Sequence, residues 1–138
     1  MIIADTGFWL ALANRADRHH QAALQAMADL REGLVTTWSV LTETCHLLLS
    51  RLGVPAQLAF LRGVRNGACS LFQMGDGHLP RIEELMEHYA DLPMDLADAS
   101  LVVLAEELGS GRIFSTDQRD FHTYRWKNRR PFRNLLFA

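Results

Sequence analysis

The 138-residue chain has the length of one domain spanning residues 1–138, since folding at this size buries roughly two-thirds of the unfolded chain's surface. Its composition, with 49% apolar and 22% charged residues, excludes long disorder, a collagen-like repeat and a disulfide scaffold. The net charge of −2 conceals an uneven distribution, because residues 1–110 carry 7 basic and 14 acidic side chains whereas residues 111–138 carry 7 and 2. No apolar run has the roughly 18 to 20 residues of a membrane span, and the first residues lack the pattern of a signal peptide, so we expect a cytoplasmic location.

Short apolar runs alternate with longer segments in which apolar residues recur at helical spacing. In chain order these patterns predict a strand at 1–4, helices at 6–13 and 18–32, a strand at 34–36, helices at 40–52 and 55–65, a strand at 70–72, helices at 80–89 and 96–108, and strands at 112–115 and 132–137. The expected N-caps are Asp17, Ser39 and Asp95, since short polar side chains accept the unpaired N–H groups of a first helical turn. The alternation predicts an α/β fold with a mostly parallel sheet of about five strands, because parallel neighbours need crossover connections.

Four carboxylates occur where these elements place them on one edge of the predicted sheet. Asp5 ends the first strand and Asp117 follows the fourth, while Glu43 and Asp98 lie in the first turns of two helices. Ligands of parallel α/β sheets bind beyond the carboxyl ends of the strands. We therefore predict that the four side chains converge.

Converging carboxylates repel one another, and shared burial raises their pKa values unless a cation neutralises them. Oxygen-only ligands suit Mg²⁺, with Mn²⁺ as the alternative, and Mg²⁺ keeps room for water and phosphate oxygens. A metal lowers the pKa of a bound water, an unligated carboxylate accepts the proton, and the metal stabilises charge that develops on phosphate. The pattern therefore predicts phosphoryl chemistry.

Four segments together resemble the PIN domain over essentially the whole chain. They are Asp5-Thr6-Gly7, Ser39 to Glu43, the helix start from Met94 to Ser100, and the run from Phe114 to Phe121. The resemblance implies a three-layer α/β/α fold. Short chains of this kind resemble VapC-type toxins of toxin–antitoxin pairs, which implies a Mg²⁺-dependent ribonuclease that leaves a 5′-phosphate and a 3′-hydroxyl.

The resemblance also implies roles for individual residues. The implied catalytic residues are Asp5, Glu43, Asp98 and Asp117, and the implied metal ligands are Asp5, Asp98 and Asp117. Thr6 and Thr116 match small hydroxyl positions that orient water or phosphate. Phe8-Trp9 is bulkier than the residues common at this place in the family, and it bears on the shape of the pocket.

Three partners follow from the same resemblance: an RNA substrate, a second copy of the chain in a homodimer, and a small antitoxin. An antitoxin arginine suits the acidic pocket, because its planar fork binds carboxylates bidentately. We expect the antitoxin to dock on residues 40–52 and 54–61, where apolar residues exceed what one buried face of each helix requires.

Several other polar residues have structural as well as functional interpretations. Asp95 is expected to cap its helix and Asp120 to stabilise a turn. The basic run at 125–130 interleaves an aromatic residue with positive charge, which suits phosphate contact and base stacking, and a solvated turn is the alternative. The candidate RNA contacts in this run are Arg125, Arg129 and Arg130.

This chain lacks residues that two other phosphate-handling folds require. A phosphoacceptor receiver domain needs an acidic pair after the first strand and a lysine after the fifth, but Lys127 is the only lysine. A haloacid-dehalogenase-type phosphatase needs an Asp where Gly7 stands. The favoured function is therefore a Mg²⁺-dependent endoribonuclease toxin. The alternatives are a PIN nuclease of RNA processing and a catalytically silent metal- or nucleic-acid-binding module of the same fold.

Overall fold

A parallel sheet of five strands forms the centre of the computed structural model, which describes residues 1–137 and leaves Ala138 outside. In chain order the elements are β1 (Ile2–Ala4), α1 (Thr6–Ala13), α2 (His20–Ala28), β2 (Leu34–Thr37), α3 (Trp38–Leu52), α4 (Val54–Arg65), β3 (Ser70–Phe72), α5 (Leu79–His88), α6 (Leu96–Leu108), β4 (Arg112–Phe114), α7 (Gln118–Thr123), β5 (Arg125–Trp126), β6 (Arg130–Pro131) and β7 (Arg133–Asn134). The strand order in the sheet is β3-β2-β1-β4-β7, and β5 and β6 form a separate antiparallel hairpin. The predicted α/β class and the parallel sheet of five strands are confirmed.

The middle strand, β1, is buried at all three of its residues. Ile3 pairs with Val35 of β2 on one side and with Ile113 of β4 on the other. Strands covered on both faces of a parallel sheet are continuous apolar runs, which is why β1 has no polar alternation. The N–H of Asp5 donates to the carbonyl of Phe114 at 3.1 Å, so Asp5 continues the ladder at the edge where β1 and β4 both end.

Helix α6 is buried along most of its length and packs against α3, α5, β2 and β5. Its predicted bounds are confirmed, with Asp95 as the N-cap and Gly109 as a left-handed C-cap at φ 69°. An apolar helix enclosed on several sides has little freedom to shift, and it therefore holds Asp98, in its first turn, in a fixed position. Among residues 1–137, no helix is long and apolar enough to cross a membrane.

The prediction that Asp17 caps the second helix is wrong. Helix α2 begins at His20 and ends at Ala28, so it is shorter at both ends than the predicted segment of 18–32. The Asp17 carboxylate accepts the N–H of His19 at 2.8 Å and stabilises the turn that precedes the helix. A side-chain acceptor two residues before a donor closes an Asx-type turn, which competes with helix capping.

The prediction that Ser39 caps the third helix is also wrong. Strand β2 extends one residue further than expected, and Thr37 becomes the N-cap of α3. The Thr37 hydroxyl accepts the N–H of Val40 at 3.3 Å, and Ser39 lies inside the first turn. Both residues are good caps by type, so the length of the strand decided between them.

The last quarter of the chain contains structure that its sequence pattern did not predict. Helix α7 and the β5–β6 hairpin precede β7, and the predicted strand at 132–137 is reduced to Arg133–Asn134. The hairpin turn holds Lys127 and Asn128 at φ 50° and 65°, where the chain turns back on itself. The Trp126 indole occupies the space that a side chain on Gly111 would need, which packs the hairpin against the start of β4.

Candidate active site

Asp5, which follows β1 directly, is a buried carboxylate with 6% of its surface exposed. Its Oδ1 accepts the N–H of Thr6 at 2.7 Å, and its Oδ2 accepts the hydroxyl of Ser115 at 2.9 Å. Burial raises the pKa of Asp5 to about 6, and the two hydrogen bonds oppose this rise. The charges of Glu43 and Asp117 raise the pKa further.

Asp98 lies half-buried in the first turn of α6. Its N–H donates to Oδ1 of Asp95 at 2.8 Å, which confirms Asp95 as the cap, and its Oδ2 accepts the hydroxyl of Tyr124 at 3.0 Å. Burial raises the pKa of Asp98 to about 8, while the Tyr124 hydrogen bond lowers it. The charges of Asp95, Asp5 and Asp117 add to the rise. At neutral pH this carboxyl group therefore favours a proton or a cation beside it.

Asp117 follows β4 and is connected to Asp5 through Ser115. The N–H of Asp117 donates to Oγ of Ser115 at 3.0 Å, and its Oδ1 caps α7 by accepting the N–H of Asp120 at 3.1 Å. Burial raises the pKa of Asp117 to about 6, and Asp120 contributes to the rise. Asp120 lies in the first turn of α7, so it belongs to a helix and not to the turn that the sequence predicted.

Glu43 completes the acidic group from the side of α3. It is half-buried, and its charge acts on Asp5 across the end of the sheet. It borders a surface hollow of about 520 Å³ whose lining residues are Trp38, Ser39, Thr42, Glu43, His46, Asp95, Leu96 and Ala97. The structure therefore brings the four predicted carboxylates to one edge of the sheet.

Thr6 and Thr116, the two threonines predicted from the sequence, also lie at this edge, and Gly7 leaves space for the side chain of Thr116. Thr6 is buried, and its hydroxyl has no hydrogen-bond partner among residues 1–137. A Cβ on Gly7 would overlap Oγ1 of Thr116, so only glycine allows α1 to approach the segment after β4 this closely. The Asp5-Thr6-Gly7 run therefore combines a carboxylate, an unpaired hydroxyl and a packing site.

Comparisons with known proteins identify the family of the chain. The family model of the PIN domain matches residues 2–127. The chain is 32% identical over 124 residues to Ribonuclease VapC26 of Mycobacterium tuberculosis. This alignment covers 90% of this chain and 92% of the relative. The chain belongs to the PIN domain family.

Solved structures show the same fold as this PIN domain. The crystal structure of Mycobacterium tuberculosis VapC20, described as a sarcin–ricin-loop-cleaving toxin, has a TM-score of 0.79 at 23% identity and covers 86% of this chain and 92% of that one. A protein from Pyrobaculum aerophilum has a TM-score of 0.54 at 18% identity, covering 91% and 85%. The three-layer architecture implied by the sequence motifs is thereby confirmed.

The donors of this edge fit a hard divalent cation. Across residues 1–137, no three His, Cys, Asp or Glu side chains are grouped so as to hold a metal ion by themselves. Mg²⁺ commonly takes one or two protein carboxylates and completes its shell with water and substrate oxygens. Asp5 and Asp98 offer oxygen donors whose raised pKa values a cation would relieve. The three-ligand set that adds Asp117 stays a prediction.

Sequence reasoning missed two residues that hold the carboxylates in place. Ser115 joins Asp5 to Asp117, and its position at the end of β4, two residues before a candidate carboxylate, was a usable signal. Tyr124 is fully buried and donates to Asp98 from 26 residues away along the chain. No local pattern marks Tyr124, because its role depends on how the last quarter of the chain folds back on α6.

The basic residues at 125–130 lie apart from the carboxylates. One nitrogen of the Arg125 guanidinium donates to the carbonyls of residues 122, 123 and 124, so this side chain closes the end of α7. The N–H of Lys127 donates to Glu106 at 2.6 Å, and Glu106 is eight residues, or about 12 Å of helix, from Asp98. Arg129 and Arg130 are exposed on this hairpin. The contact of the hairpin with Glu106 therefore places Arg129 and Arg130 away from the first turn of α6, where Asp98 lies.

Proposed function

We propose that this PIN domain is a metal-dependent endoribonuclease and the toxin of a toxin–antitoxin pair. The observation that carries the proposal is the position of Asp5, Asp98 and Asp117 at one edge of the sheet, where burial and neighbouring carboxylates raise the pKa values of all three. The similarity of the chain to a protein named Ribonuclease VapC26 supports RNA as the substrate. The description of VapC20 as a toxin supports the biological role.

In this proposal Asp5 and Asp98, with Asp117, hold Mg²⁺, and Mn²⁺ is the alternative. A bound cation of this type acidifies water and stabilises negative charge on the phosphoryl oxygens. Ser115 and the N–H of Thr6 hold the two oxygens of Asp5, and Tyr124 holds one oxygen of Asp98, so both carboxylates keep a constant direction. Preorganised ligands need no rearrangement when the charge develops.

The remaining polar groups act on water and phosphate. Glu43, which is half-buried and makes no hydrogen bond that would occupy its carboxylate within the described residues, accepts the proton of the attacking water. The Thr116 hydroxyl contacts the phosphate or the attacking water, and the buried, unpaired Thr6 hydroxyl is left for an enclosed water. Attack of the water oxygen on phosphorus then breaks the bond to the 3′-oxygen, which takes a proton from solvent, and leaves a 5′-phosphate and a 3′-hydroxyl. Arg129 and Arg130 contact RNA phosphates beyond the cleavage point.

An antitoxin partner fits the apolar surface formed by α3 and α4. None of the residues of α4 is buried, and large apolar side chains on both helices remain exposed: Leu49, Leu52, Val54, Leu58 and Leu61. Between α1, α2 and α4 lies an apolar hollow of about 330 Å³ lined by Trp9, Leu12, Met27, Phe60 and Val64 among others. We propose that an apolar antitoxin segment covers this surface in the cytoplasm, that its arginine reaches the carboxylates, and that the toxin acts as a homodimer.

Cleavage of RNA by the purified protein tests the proposal directly. Wild-type protein with Mg²⁺ should cut single-stranded RNA and leave 5′-phosphate ends, whereas EDTA or Asp5→Asn should abolish cleavage. Mn²⁺ should restore activity after EDTA treatment and dialysis. RNA binding without cleavage in either metal would instead favour a catalytically silent module. Cleavage without any effect of strong expression on cell growth would favour an RNA-processing nuclease.

A further inference from the structure

The hollow beside Glu43 presents an aromatic ring to solvent at the border of the acidic edge. It lies between the first turns of α3 and α6, and Trp38 of α3 is 54% exposed there. The other two tryptophans of the chain, Trp9 and Trp126, are only 5% and 7% exposed. A tryptophan left largely in water is a common feature of binding surfaces, because its ring contributes large contact area when covered.

The hollow borders the proposed cleavage site, because Glu43 and Ala97, the residue before Asp98 in α6, both line it. Glu43 lines it and acts electrostatically on Asp5, and Asp95 lines it and acts on Asp98. A group seated against Trp38 is therefore a near neighbour of any phosphate held at Asp5 and Asp98. At about 520 Å³, the hollow has the size of a small-molecule site.

The charge of the lining selects the part of an RNA that fits. Two carboxylates line the hollow, and its one basic side chain among the described residues is His46, so the negative charge disfavours a phosphate while an uncharged aromatic base is tolerated. Carboxylate oxygens also accept hydrogen bonds from exocyclic amino groups, such as that of cytosine. The cores of protein–protein interfaces are depleted of charged residues, which disfavours a second copy of the chain as the occupant.

We propose that this hollow is a nucleobase subsite, in which one base next to the cleaved phosphate stacks on the indole of Trp38. The inference rests on the proposed ribonuclease function and adds to it a place where the substrate is held. Stacking on an aromatic side chain tolerates any base, and the carboxylates favour one with an exocyclic amino group. Trp38 is then a substrate-binding residue at the first position of α3.

Tryptophan fluorescence of the intact wild-type protein tests the subsite. With Ca²⁺ in place of Mg²⁺ to slow cleavage, a short single-stranded RNA should quench the emission and protect it from acrylamide, since Trp38 is the exposed tryptophan. Trp38→Phe should bind RNA nearly as well as wild type but lose the signal change. Trp38→Ala should bind about 5- to 150-fold more weakly and raise KM for cleavage in Mg²⁺ similarly, the range expected for one lost base stack. Leu108→Ala, a matched loss of an exposed apolar side chain at the far end of α6, should leave KM unchanged.

The possible failures point to different errors. If wild-type protein neither binds nor cleaves RNA, the proposed function is wrong. If it cleaves RNA but Trp38→Ala has the wild-type KM, only the subsite is wrong. If Trp38→Ala converts a dimer to a monomer in sedimentation velocity while monomer affinity for RNA is unchanged, a second copy covers Trp38 and the subsite is overturned. Unchanged Trp emission when wild type binds RNA has the same consequence.

Discussion

The hydroxyl of Ser115 donates to Oδ2 of Asp5 at 2.9 Å, and its oxygen accepts the N–H of Asp117 at 3.0 Å. One serine oxygen therefore joins two candidate catalytic residues that are 112 positions apart in the chain. Because Ser115 is fully buried, neither contact is exchanged with solvent. The geometry of the site depends on this side chain as much as on the carboxylates.

Ser115→Ala should reduce RNA cleavage by about 10- to 100-fold, the usual loss when a partner of a metal-binding residue is removed. The buried Asp5 oxygen loses its donor, so the free energy of unfolding should fall by about 1–3 kcal/mol. The pKa of Asp5 should rise further, since this hydrogen bond lowers it, and the acid limb of the pH–rate profile should shift to higher pH. Ser50→Ala, at an exposed position, is the control, and an equal loss of activity in it would contradict the assignment.

Asp98→Asn should lower cleavage by on the order of 100-fold or more, since it removes a charged ligand and the charge that binds the cation. Its melting temperature in EDTA at pH 8 should equal or exceed that of the wild type. The ionised Asp98 repels Asp95 and Asp5, and asparagine removes that repulsion while retaining an acceptor for Tyr124. Wild-type cleavage rates in purified Asp98→Asn would show that the carboxylate is not needed.

The raised pKa of Asp98 also makes the stability of the protein depend on pH. The folded pKa of Asp98 is about 8, above the ordinary value of 3.8, so the folded state binds more protons than the unfolded state between these limits. In EDTA the melting temperature should therefore fall as pH rises from about 5 to 8. Mg²⁺ should reverse part of this fall, and Asp98→Asn should flatten it. A wild-type melting temperature that rises across this interval in EDTA would contradict the raised pKa.

Gly7→Ala should destabilise the protein by about 1–3 kcal/mol, because the new methyl group overlaps the Thr116 hydroxyl. The double variant Gly7→Ala with Thr116→Ala removes the overlap. Its melting temperature should reach or exceed that of the wild type, since alanine is the better helix former inside α1. Thermal unfolding of the two single variants and the double variant measures the coupling. Purely additive effects would show that the two side chains do not meet.

Arg129 and Arg130 should affect RNA affinity but not the chemical step. Replacing both with alanine should reduce the log–log slope of affinity against salt by about 1.4, or about 0.7 for each lost contact to single-stranded RNA. The cleavage rate at saturating RNA should stay near that of the wild type, because the hairpin lies away from Asp98. Arg15→Ala with Arg18→Ala is a charge-matched control on an exposed loop. A salt slope equal to that of the wild type would leave the hairpin as a solvated turn.

Leu58→Asp should weaken binding of the antitoxin without changing RNA cleavage, since it places a charge in the apolar surface of α4. Expression of the wild type alone should slow growth, and co-expression with the gene of the proposed antitoxin should restore it. Leu58→Asp should slow growth even with that gene present. Leu24→Asp, at a similarly exposed leucine of α2, should be neutralised like the wild type. Normal growth under strong expression of the folded wild type would count against the toxin role.

The sequence pattern predicted helices and strands correctly where the apolar spacing and the capping or turn residues indicated the same bounds. The apolar helix between Asp95 and Gly109 and the strands that lead to Asp5 and Asp117 were predicted in the right places. The caps were less secure, because Thr37 and Ser39 are both suitable by type and the length of β2 decided between them. In the last quarter of the chain, α7 and the β5–β6 hairpin are too short for periodicity to reveal them.

The sequence alone determined the fold class and the family, because strand–helix alternation and the carboxylates at element ends are local features. It also determined that the four carboxylates share one edge, since parallel strands end on the same side of a sheet. Only the tertiary structure decided which groups hold the carboxylates in place, namely Ser115 for Asp5 and Tyr124 for Asp98. It also decided that the hairpin carrying Arg129 packs on Glu106, away from Asp98. These contacts join residues far apart in the chain, and their free energy depends on burial and direction, which no sequence spacing encodes.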